Sequence, residues 1–269
     1  MEAVCARAAA RCKMSGTNLL SQLPWPPLEF RRLVGPTEPD QFDNPTGRLV
    51  FEDLPEGAYD YVLDFGCGCG RLARRLIQQR PRPRRYLGID PHRGMIDWCQ
   101  TNLSPHAPEF VFWHHDVFQQ FMNPGGSLNP IPLAARNSEI TLFIAWSVFT
   151  HLLEADAKFY LGEMARVLSP FGTAVTTWLL FDKRDFPMMQ TFQNALFISD
   201  FDPTNAVIFD RSWLCSEASR LGLTMSRIVP PAIRGFQWRI HFQKASEGRH
   251  SVEFPEDTAP RGIARPPSE

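Results

Sequence analysis

The segment Val62–Arg71, with the sequence VLDFGCGCGR, passes from an apolar run through three alternating glycines into a helical pattern. The apolar run predicts a strand, and Leu72, Leu76 and Ile77 recur at helical spacing after the glycines. Glycine reaches backbone dihedrals that other residues avoid and allows another group to come close to the backbone. In an open α/β sheet, such a junction lies at the carboxyl end of a strand, where ligands bind.

Strands and helices alternate along the chain after Tyr59. The predicted strands are Tyr61–Phe65, Arg85–Asp90, Phe110–Trp113, Ile140–Trp146 and Thr173–Phe181, and the predicted helices are Arg71–Gln79, Gly94–Leu103 and Ala157–Leu168. This alternation predicts βαβ units in a mostly parallel sheet with helices on both faces. The segments Leu223–Val229 and Phe236–Phe242 are joined by too few residues for a crossover helix, so we expect them to pair antiparallel.

The flanking regions differ in composition from this alternating domain, which we place at residues 59–244. Residues 1–58 contain seven prolines and predict an irregular N-terminal arm that packs on the domain. Residues 182–209 exceed an ordinary connection and predict an inserted segment, here named the cap. Residues 245–269 are rich in proline and acids and predict a flexible tail.

The composition disfavours several broad classes of protein. Lys plus Arg total 28 against 29 Asp plus Glu, so net charge gives no general attraction to nucleic acids or anionic membranes. No stretch approaches the roughly 20 apolar residues of a membrane-spanning helix. The six cysteines form no Cys-x-x-Cys pair, which disfavours a structural zinc site, and free thiols are typical of a reducing compartment. These features predict a cytoplasmic protein without bound metal.

The glycine turn differs from two common nucleotide-binding motifs. The third position of G-x-G-x-x-G falls on Arg71, and no Gly-Lys-Ser/Thr follows, so neither the dinucleotide fingerprint nor the P-loop is complete. Asp64 precedes the turn, where a carboxylate repels a pyrophosphate and attracts an ammonium group. Asp90 ends the second strand about twenty residues later, where an acid can bind ribose hydroxyls. Asp116, after the third strand, suits either an adenine amine or a helix N-cap.

These motifs resemble those of the class I S-adenosylmethionine-dependent methyltransferases over roughly residues 59–243. The similar stretches are VLDFGCGCGRLARRL, the acid in YLGIDPHRGMI, EMARVLSPFG and the antiparallel final strand pair. The resemblance implies an α/β fold with a Rossmann-like, seven-stranded methyltransferase sheet, mostly parallel, with an antiparallel last strand and helices on both faces. It also implies S-adenosyl-L-methionine as the cofactor. One departure, Ser169-Pro170-Phe171-Gly172 in place of Lys-Pro-Gly-Gly, affects a turn and no chemistry.

The resemblance assigns the parts of the cofactor to individual residues. The methionine part is bound by Asp64, Gly66, Gly68 and Gly70, the ribose by Asp90 and the adenine by Asp116, with further contacts from Cys67, Pro91, Met95, Val117 and Trp146. Two other stretches, AWSVFTHLL and DVFQQFMNPGGSLNPIPL, are similar to a bacterial branch associated with glycan or natural-product modification. We therefore expect a small-molecule or glycan acceptor, methylated at oxygen.

A nucleic-acid acceptor is not expected. Superfamily enzymes that methylate exocyclic base amines carry Asn/Asp-Pro-Pro-Tyr/Phe after the fourth strand, and this position reads Ala145-Trp146-Ser147-Val148. A run of arginines follows the glycine turn, and we interpret it as a solvated helix face and loop. Its members are Arg71, Arg74, Arg75, Arg80, Arg82, Arg84 and Arg85.

His151, just after the fourth strand, is the first candidate for a general base, since the ordinary imidazole pKa near 6.5 suits proton removal from a hydroxyl. The alternative is that His151 caps the next helix or lies beside the cofactor without acting as a base. His114 and His115 are weaker candidates, and His241 is expected to be structural. The Phe and Met residues of the cap form either core or a flexible lid over the acceptor.

Two other functions stay open at this point. A non-catalytic scaffold would retain the fold and bind S-adenosylmethionine without turnover. An NAD-dependent oxidoreductase would use the same sheet, although Arg71 replaces the third glycine that it needs. The sequence does not indicate the oligomeric state.

Overall fold

The computed structural model describes residues 23–35 and 37–256. The strands are β1 (Tyr61–Phe65), β2 (Arg85–Asp90), β3 (Phe110–His114), β4 (Ile140–Ala145), β5 (Leu168–Phe181), β6 (Ala195–Phe197), β7 (Val207–Asp210), β8 (Leu223–Val229) and β9 (Trp238–Lys244). The helices are α1 (Leu28–Leu33), α2 (Pro39–Phe42), α3 (Arg71–Gln78), α4 (Arg93–Asn102), α5 (Glu154–Val167) and α6 (Arg211–Arg220). The predictions for residues 1–22, Pro36 and residues 257–269 lie outside the described residues.

Five parallel strands form the centre of the sheet in the order β3-β2-β1-β4-β5. β9 pairs antiparallel with β5, and β8 pairs antiparallel with β9. The mostly parallel, Rossmann-like sheet with an antiparallel last strand is therefore confirmed. The strand order reverses between β1 and β4, and ligands of open α/β sheets bind at such a reversal.

Within the described residues the sheet has nine strands, so the predicted number of seven was wrong. The two additional strands, β6 and β7, come from the cap. β7 pairs parallel with the last three residues of β5, Leu179–Phe181, and β6 pairs antiparallel with β7. The far end of β5 extends past β4, and its backbone groups find their partners in β7.

Both faces of the sheet are covered by apolar layers. Leu142 and Ile144 of β4 belong to the layer that contains α3, whereas Phe143 and Ala145 belong to the layer that contains α5. This burial on both faces explains why residues 142–145 of β4 are four consecutive apolar side chains. In the part of the chain that the structure describes, no helix has the length and apolar character needed to cross a membrane.

Part of the N-terminal arm is attached to α3 through buried polar side chains. Arg74 is fully buried, donates to the carbonyls of Leu23 and Pro24 at 2.6 Å each, and forms an ion pair with Asp43 at 2.9 Å. Because a buried guanidinium is stable only when its donors are paired, these contacts fix the arm beside the glycine turn. At the other end, the amide of Val252 donates to the carbonyl of Met225 in β8 at 2.9 Å.

Candidate active site

The glycine turn, residues 66–70, is fixed by backbone hydrogen bonds between β1 and α3. The amides of Gly66 and Cys67 both donate to the carbonyl of Ile89 in β2, at 2.7 and 3.1 Å. The amide of Gly70 donates to the carbonyl of Cys67 at 3.0 Å, just before α3 begins. The turn is therefore held at the carboxyl ends of β1 and β2, on the edge where ligands bind.

Two positions in the turn require glycine. Gly66 has a φ of +81°, and a Cβ there would overlap the side chain of Val148 in the loop after β4. Gly68 has a φ of +54°, and a Cβ there would lie 2.6 Å from Cγ1 of Val34 in the arm. Any other residue would be strained both by the left-handed backbone and by these contacts. The glycines therefore allow two distant segments to close on the turn.

Asp64, the fourth residue of β1, has an unpartnered oxygen inside the protein. Its side chain is 1% exposed, and Oδ2 accepts a hydrogen bond from the Tyr86 hydroxyl at 2.7 Å, whereas Oδ1 is buried and has no partner among the described residues. Burial raises the pKa of Asp64 to about 7, against the opposing effects of the Tyr86 hydrogen bond and the nearby Arg71. A buried acceptor without a donor is costly, so Oδ1 is suited to receive a donor from a ligand.

Arg71, the first residue of α3, is a functional candidate that the sequence did not predict as a ligand-binding residue. Burial lowers its pKa, and the nearby charge of Asp64 opposes this shift. Within residues 23–35 and 37–256, its guanidinium has no hydrogen-bond or ion-pair partner. A half-buried arginine with five free donors is suited to bind a carboxylate. Asp64 and Arg71 together can therefore accept the ammonium and the carboxylate of an α-amino acid.

Asp90, the last residue of β2, is tied to the glycine turn. Its Oδ2 accepts from the amide of Gly68 and its Oδ1 from the amide of His92, both at 2.8 Å. Burial raises the pKa of Asp90, and these two hydrogen bonds oppose the shift. Each carboxylate oxygen has a second lone pair, so Asp90 can still accept from the two hydroxyls of a ribose.

Three predicted contact residues surround the same turn. Cys67 and Met95 are buried, and Met95 Sδ lies 3.9 Å from the place where a Cβ on Gly68 would be. Pro91 follows Asp90, and its carbonyl is hydrogen-bonded by Nε2 of His114 at 2.9 Å. The predicted residues of β1, β2 and α4 therefore lie around one turn.

Asp116 and Val117 follow β3, which is the neighbour of β2. The side chain of Asp116 is exposed, and its Oδ1 accepts from Asn123 Nδ2 at 3.0 Å. Val117 is half-buried and forms an isolated bridge with Ser127. Both residues lie at the carboxyl edge of the sheet, and the assignment of Asp116 to adenine stays a prediction.

Trp146 and His151 lie in the segment after β4. The ring of Trp146 stacks on Phe51 of the arm, with ring centroids 6.1 Å apart. His151 is exposed, and its Nδ1 lies 2.8 Å from the carbonyl oxygen of Thr204 in the cap. Because a carbonyl can only accept, Nδ1 carries the proton, and Nε2 is the nitrogen with a free lone pair. The structure therefore brings the cap into contact with the candidate base.

Two of the other histidines, His115 and His241, are buried in the fold. His115 is buried, its Nε2 lies 2.8 Å from the Tyr160 hydroxyl, and burial lowers its pKa to about 4. His241 is buried in β9, 3.7 Å from Asp53, and burial lowers its pKa to about 4 as well. Both rings are therefore neutral near pH 7, held inside the fold.

Several members of the arginine run form ion pairs with the rest of the domain. The pairs are Arg74 with Asp43, Arg82 with Glu109, Arg84 with Asp60 and Arg85 with Glu139. Their charges are therefore partly neutralised by neighbouring carboxylates. Among the residues that the structure describes, no group of three or more His, Cys, Asp or Glu side chains could hold a metal ion.

Residues 62–172 match the family model of a methyltransferase domain. The chain is 30% identical over 132 residues to ribosomal RNA large subunit methyltransferase G of Shewanella amazonensis, covering 46% of this chain and 30% of that protein. It is 26% identical over 128 residues to malonyl-[acyl-carrier protein] O-methyltransferase of Hahella chejuensis, covering 46% of this chain and 38% of that protein. The matched regions thus span only 30% to 38% of these curated relatives.

A solved structure has the same fold. It is a protein from Listeria monocytogenes assigned to the S-adenosylmethionine-dependent methyltransferases, with a TM-score of 0.52 and 12% identity, covering 72% of this chain and 94% of that one. The residues that match the family model include the glycine turn, and the sheet order places this turn at the edge where ligands bind. Residues 62–172 are therefore similar to a methyltransferase domain, and the described part of the chain shares its fold with that solved structure.

Proposed function

We propose that this chain transfers the methyl group of S-adenosylmethionine to an oxygen of a small-molecule or glycan acceptor. The observation that carries the proposal is the pair of unsatisfied charged groups at the glycine turn. Asp64 Oδ1 is buried without a partner, and Arg71 lies near it, likewise without a partner in the described chain. The amino-acid end of the cofactor has one ammonium and one carboxylate, so it would satisfy both groups.

The other residues at this edge fit the remaining parts of the cofactor. Asp90 keeps two lone pairs for ribose hydroxyls, and Gly68 lets the backbone come close to the ligand. The bound cofactor supplies a methyl group on a sulfonium whose leaving group is a neutral thioether. The protein therefore has to align the acceptor, exclude water and remove a proton where the acceptor is a hydroxyl.

His151 is the residue that we assign to proton removal. In the neutral imidazole, the carbonyl of Thr204 holds the proton on Nδ1, so Nε2 is the nitrogen that can accept the hydroxyl proton. The ring follows β4, next to the strand-order reversal where the cofactor is expected to bind. This arrangement favours oxygen as the methylated atom, because an oxygen nucleophile is activated by loss of its proton.

A small molecule or glycan is favoured over RNA by the charge around the domain. Four arginines of the basic run are already paired with carboxylates, so they are not a free phosphate-binding surface. The motif of base-amine methylation is replaced by Ala145-Trp146-Ser147-Val148. Free buried thiols at Cys67 and Cys69 support a reducing compartment such as the cytoplasm.

Calorimetric titration with S-adenosylhomocysteine tests the cofactor part of this proposal, and a methyl-transfer assay tests the acceptor part. The assay compares hydroxylated aromatic compounds, an oligosaccharide mixture and ribosomal RNA, with wild type and His151→Gln. We expect transfer to one of the first two classes, reduced by about 10²- to 10⁴-fold in His151→Gln. No binding of S-adenosylhomocysteine, or transfer to RNA alone, would contradict the proposal.

A further inference from the structure

The cap stands directly above the carboxyl edge of the sheet. The last pair between β4 and β5 joins Ala145 to Thr176, and β5 continues five residues further to Phe181. At about 3.3 Å per residue, this extension projects roughly 16 Å beyond β4. β7 pairs with the last three residues of this projecting part, so the cap is built on the carboxyl side of the sheet, where the cofactor is proposed to bind.

The cap exposes an unusual amount of apolar surface for a segment of this length. Six large apolar side chains in it are exposed to solvent. They are Phe186, Met188, Phe192, Phe197, Ile198 and Phe201, with Phe192 at 75% and Phe201 at 83%. A concentration of exposed apolar side chains marks a surface that binds another molecule. The cap surface is therefore available to an apolar ligand.

Two other loops at the carboxyl edge of the sheet also expose apolar side chains. Phe121 lies in the loop after β3, and Phe236 lies in the loop between β8 and β9, and both are exposed. Ser147, just after β4, and Gln237 are joined by a side-chain hydrogen bond, which places the second loop beside the segment that carries His151. The exposed ring of Phe236 is therefore next to a residue that contacts the segment carrying His151.

The charges of the cap exclude phosphate as the feature that it recognises. It carries four acids and two bases, so its net charge is negative. Arg184 is paired with Asp182, and Lys183 donates to the Thr191 carbonyl at 3.2 Å and to Asn194 at 3.1 Å. Arg184 is thus ion-paired and Lys183 is bound by neutral acceptors, so the net negative charge of the cap disfavours a nucleic acid or an anionic lipid surface.

We propose that the cap is the acceptor-binding surface and that it selects an uncharged, hydrophobic acceptor that carries a hydroxyl on an alkyl or aryl skeleton. This inference rests on the proposed function and narrows its acceptor class. The apolar skeleton lies against the cap, and the hydroxyl lies toward His151, whose ring the cap itself contacts through Thr204. The hydroxyl proton passes to His151 Nε2, and the oxygen lone pair forms the new C–O bond as the methyl–sulfur bond breaks.

The test uses the full chain with saturating S-adenosylhomocysteine and the neutral fluorescent probe N-phenyl-1-naphthylamine. Competing 4-alkylphenols with one to eight side-chain carbons then displace the probe. We expect affinity to rise by about fourfold per added methylene until the apolar surface is filled. The variant Phe192→Ser/Phe201→Ser should bind the probe at least about tenfold more weakly. Phe171→Ser is the matched control, because Phe171 is 88% exposed near the start of β5, at the opposite edge of the sheet.

Four results would overturn the inference. The first is equal probe affinity in the double variant and wild type. The second is an alkylphenol affinity that does not depend on the length of the alkyl chain. The third is a wild-type dimer in sedimentation velocity that the double variant lacks, because the cap would then be a subunit interface. The fourth is binding of a fluorescein-labelled RNA hairpin that the double variant abolishes. Titration of S-adenosylhomocysteine into each variant measures cofactor binding separately. If the cofactor does not bind, the proposed function fails, while the affinities of the probe and the alkylphenols still test the cap.

Discussion

The glycine turn and the cap lie at the same edge of the sheet and differ in almost every physical respect. The turn is held by two amides that donate to the Ile89 carbonyl, and Val34 and Val148 pack against its glycines. The cap presents exposed Phe and Met side chains and pairs with the sheet only through the end of β5. The proposed cofactor site is therefore formed by the fold itself, whereas the proposed acceptor surface would be completed only by a ligand.

The largest effect is expected for Gly66→Ala, which tests whether the turn is as constrained as its geometry indicates. The substitution should lower the free energy of unfolding by about 4 kcal/mol, from the left-handed backbone and from overlap with Val148. Gly222→Ala is the matched control, since Gly222 has a φ of +66° and a Cβ added there would meet no atom within 4 Å. The Gly222→Ala substitution should lower the free energy of unfolding by about 1–2 kcal/mol.

Urea unfolding of both variants measures the two contributions separately. The difference between them is the cost of the close approach, and the Gly222→Ala value is the cost of the backbone conformation alone. Equal losses in the two variants would show that Val148 moves aside freely. The turn would then be no more constrained than an exposed loop, and the contrast with the cap would fail.

A somewhat smaller effect is expected for Asp64→Asn. The amide cannot supply the charge for an ammonium group, so the binding free energy of S-adenosylhomocysteine should weaken by about 3 kcal/mol. The control ligand is 5′-methylthioadenosine, which lacks the amino-acid end. Its affinity should stay unchanged. Calorimetric titration with both ligands measures the difference. Equal losses for the two ligands would show that Asp64 supports the turn and does not contact the amino acid.

The same residue predicts a pH dependence. The pKa of Asp64 in the ligand-free protein is raised to about 7 by burial, so the side chain is largely neutral below pH 7 and charged above it. Affinity for S-adenosylhomocysteine should therefore rise as pH increases through about 7, and fall by up to about tenfold per unit below it. The slope should be absent in Asp64→Asn, and a slope retained in that variant would assign the titration to another group.

The sequence predicted the turn well because its determinants are local. The strand, three glycines and helix follow one another within Val62–Gln78, and periodicity alone locates them. The partners of the turn could not be predicted, because Val34 and Val148 are far from it in sequence and meet it only in the folded chain. Arg71 illustrates a missed signal. A base directly after a glycine turn that is preceded by an acid could have indicated a site for an amino acid.

The cap could be predicted only as an insertion. Its Phe and Met spacing is compatible with either core or surface, and the choice depends on where β7 pairs with β5. That pairing is a long-range contact, and it also explains why seven strands were expected where the described part of the chain has nine. Sequence periodicity therefore predicts helices and strands whose buried face follows from the local pattern. It does not predict which surface stays exposed when that depends on pairing between strands far apart in sequence.

A smaller effect is expected for Arg71→Met, which keeps the apolar part of the side chain and removes the charge. Affinity for S-adenosylhomocysteine should fall by about tenfold, near 1.4 kcal/mol, because the cofactor carboxylate loses its partner. Affinity for 5′-methylthioadenosine should not change. Arg75→Met, one helical turn further along α3, is the control and should leave both affinities unchanged. Equal loss for both ligands in Arg71→Met would assign Arg71 to folding.

The smallest effect is expected for Phe192→Ser, which should change the free energy of unfolding by less than about 0.5 kcal/mol, because its ring contributes little buried area. Phe42→Ala is the contrasting control, since Phe42 is fully buried against Cys69 and Met95 beside the turn. This substitution should lower the free energy of unfolding by about 3–5 kcal/mol. Urea unfolding of both variants provides the comparison. If Phe192→Ser costs more than about 1 kcal/mol, its ring packs inside the fold, and the cap is a stabilising element whose apolar side chains are not free to bind an acceptor.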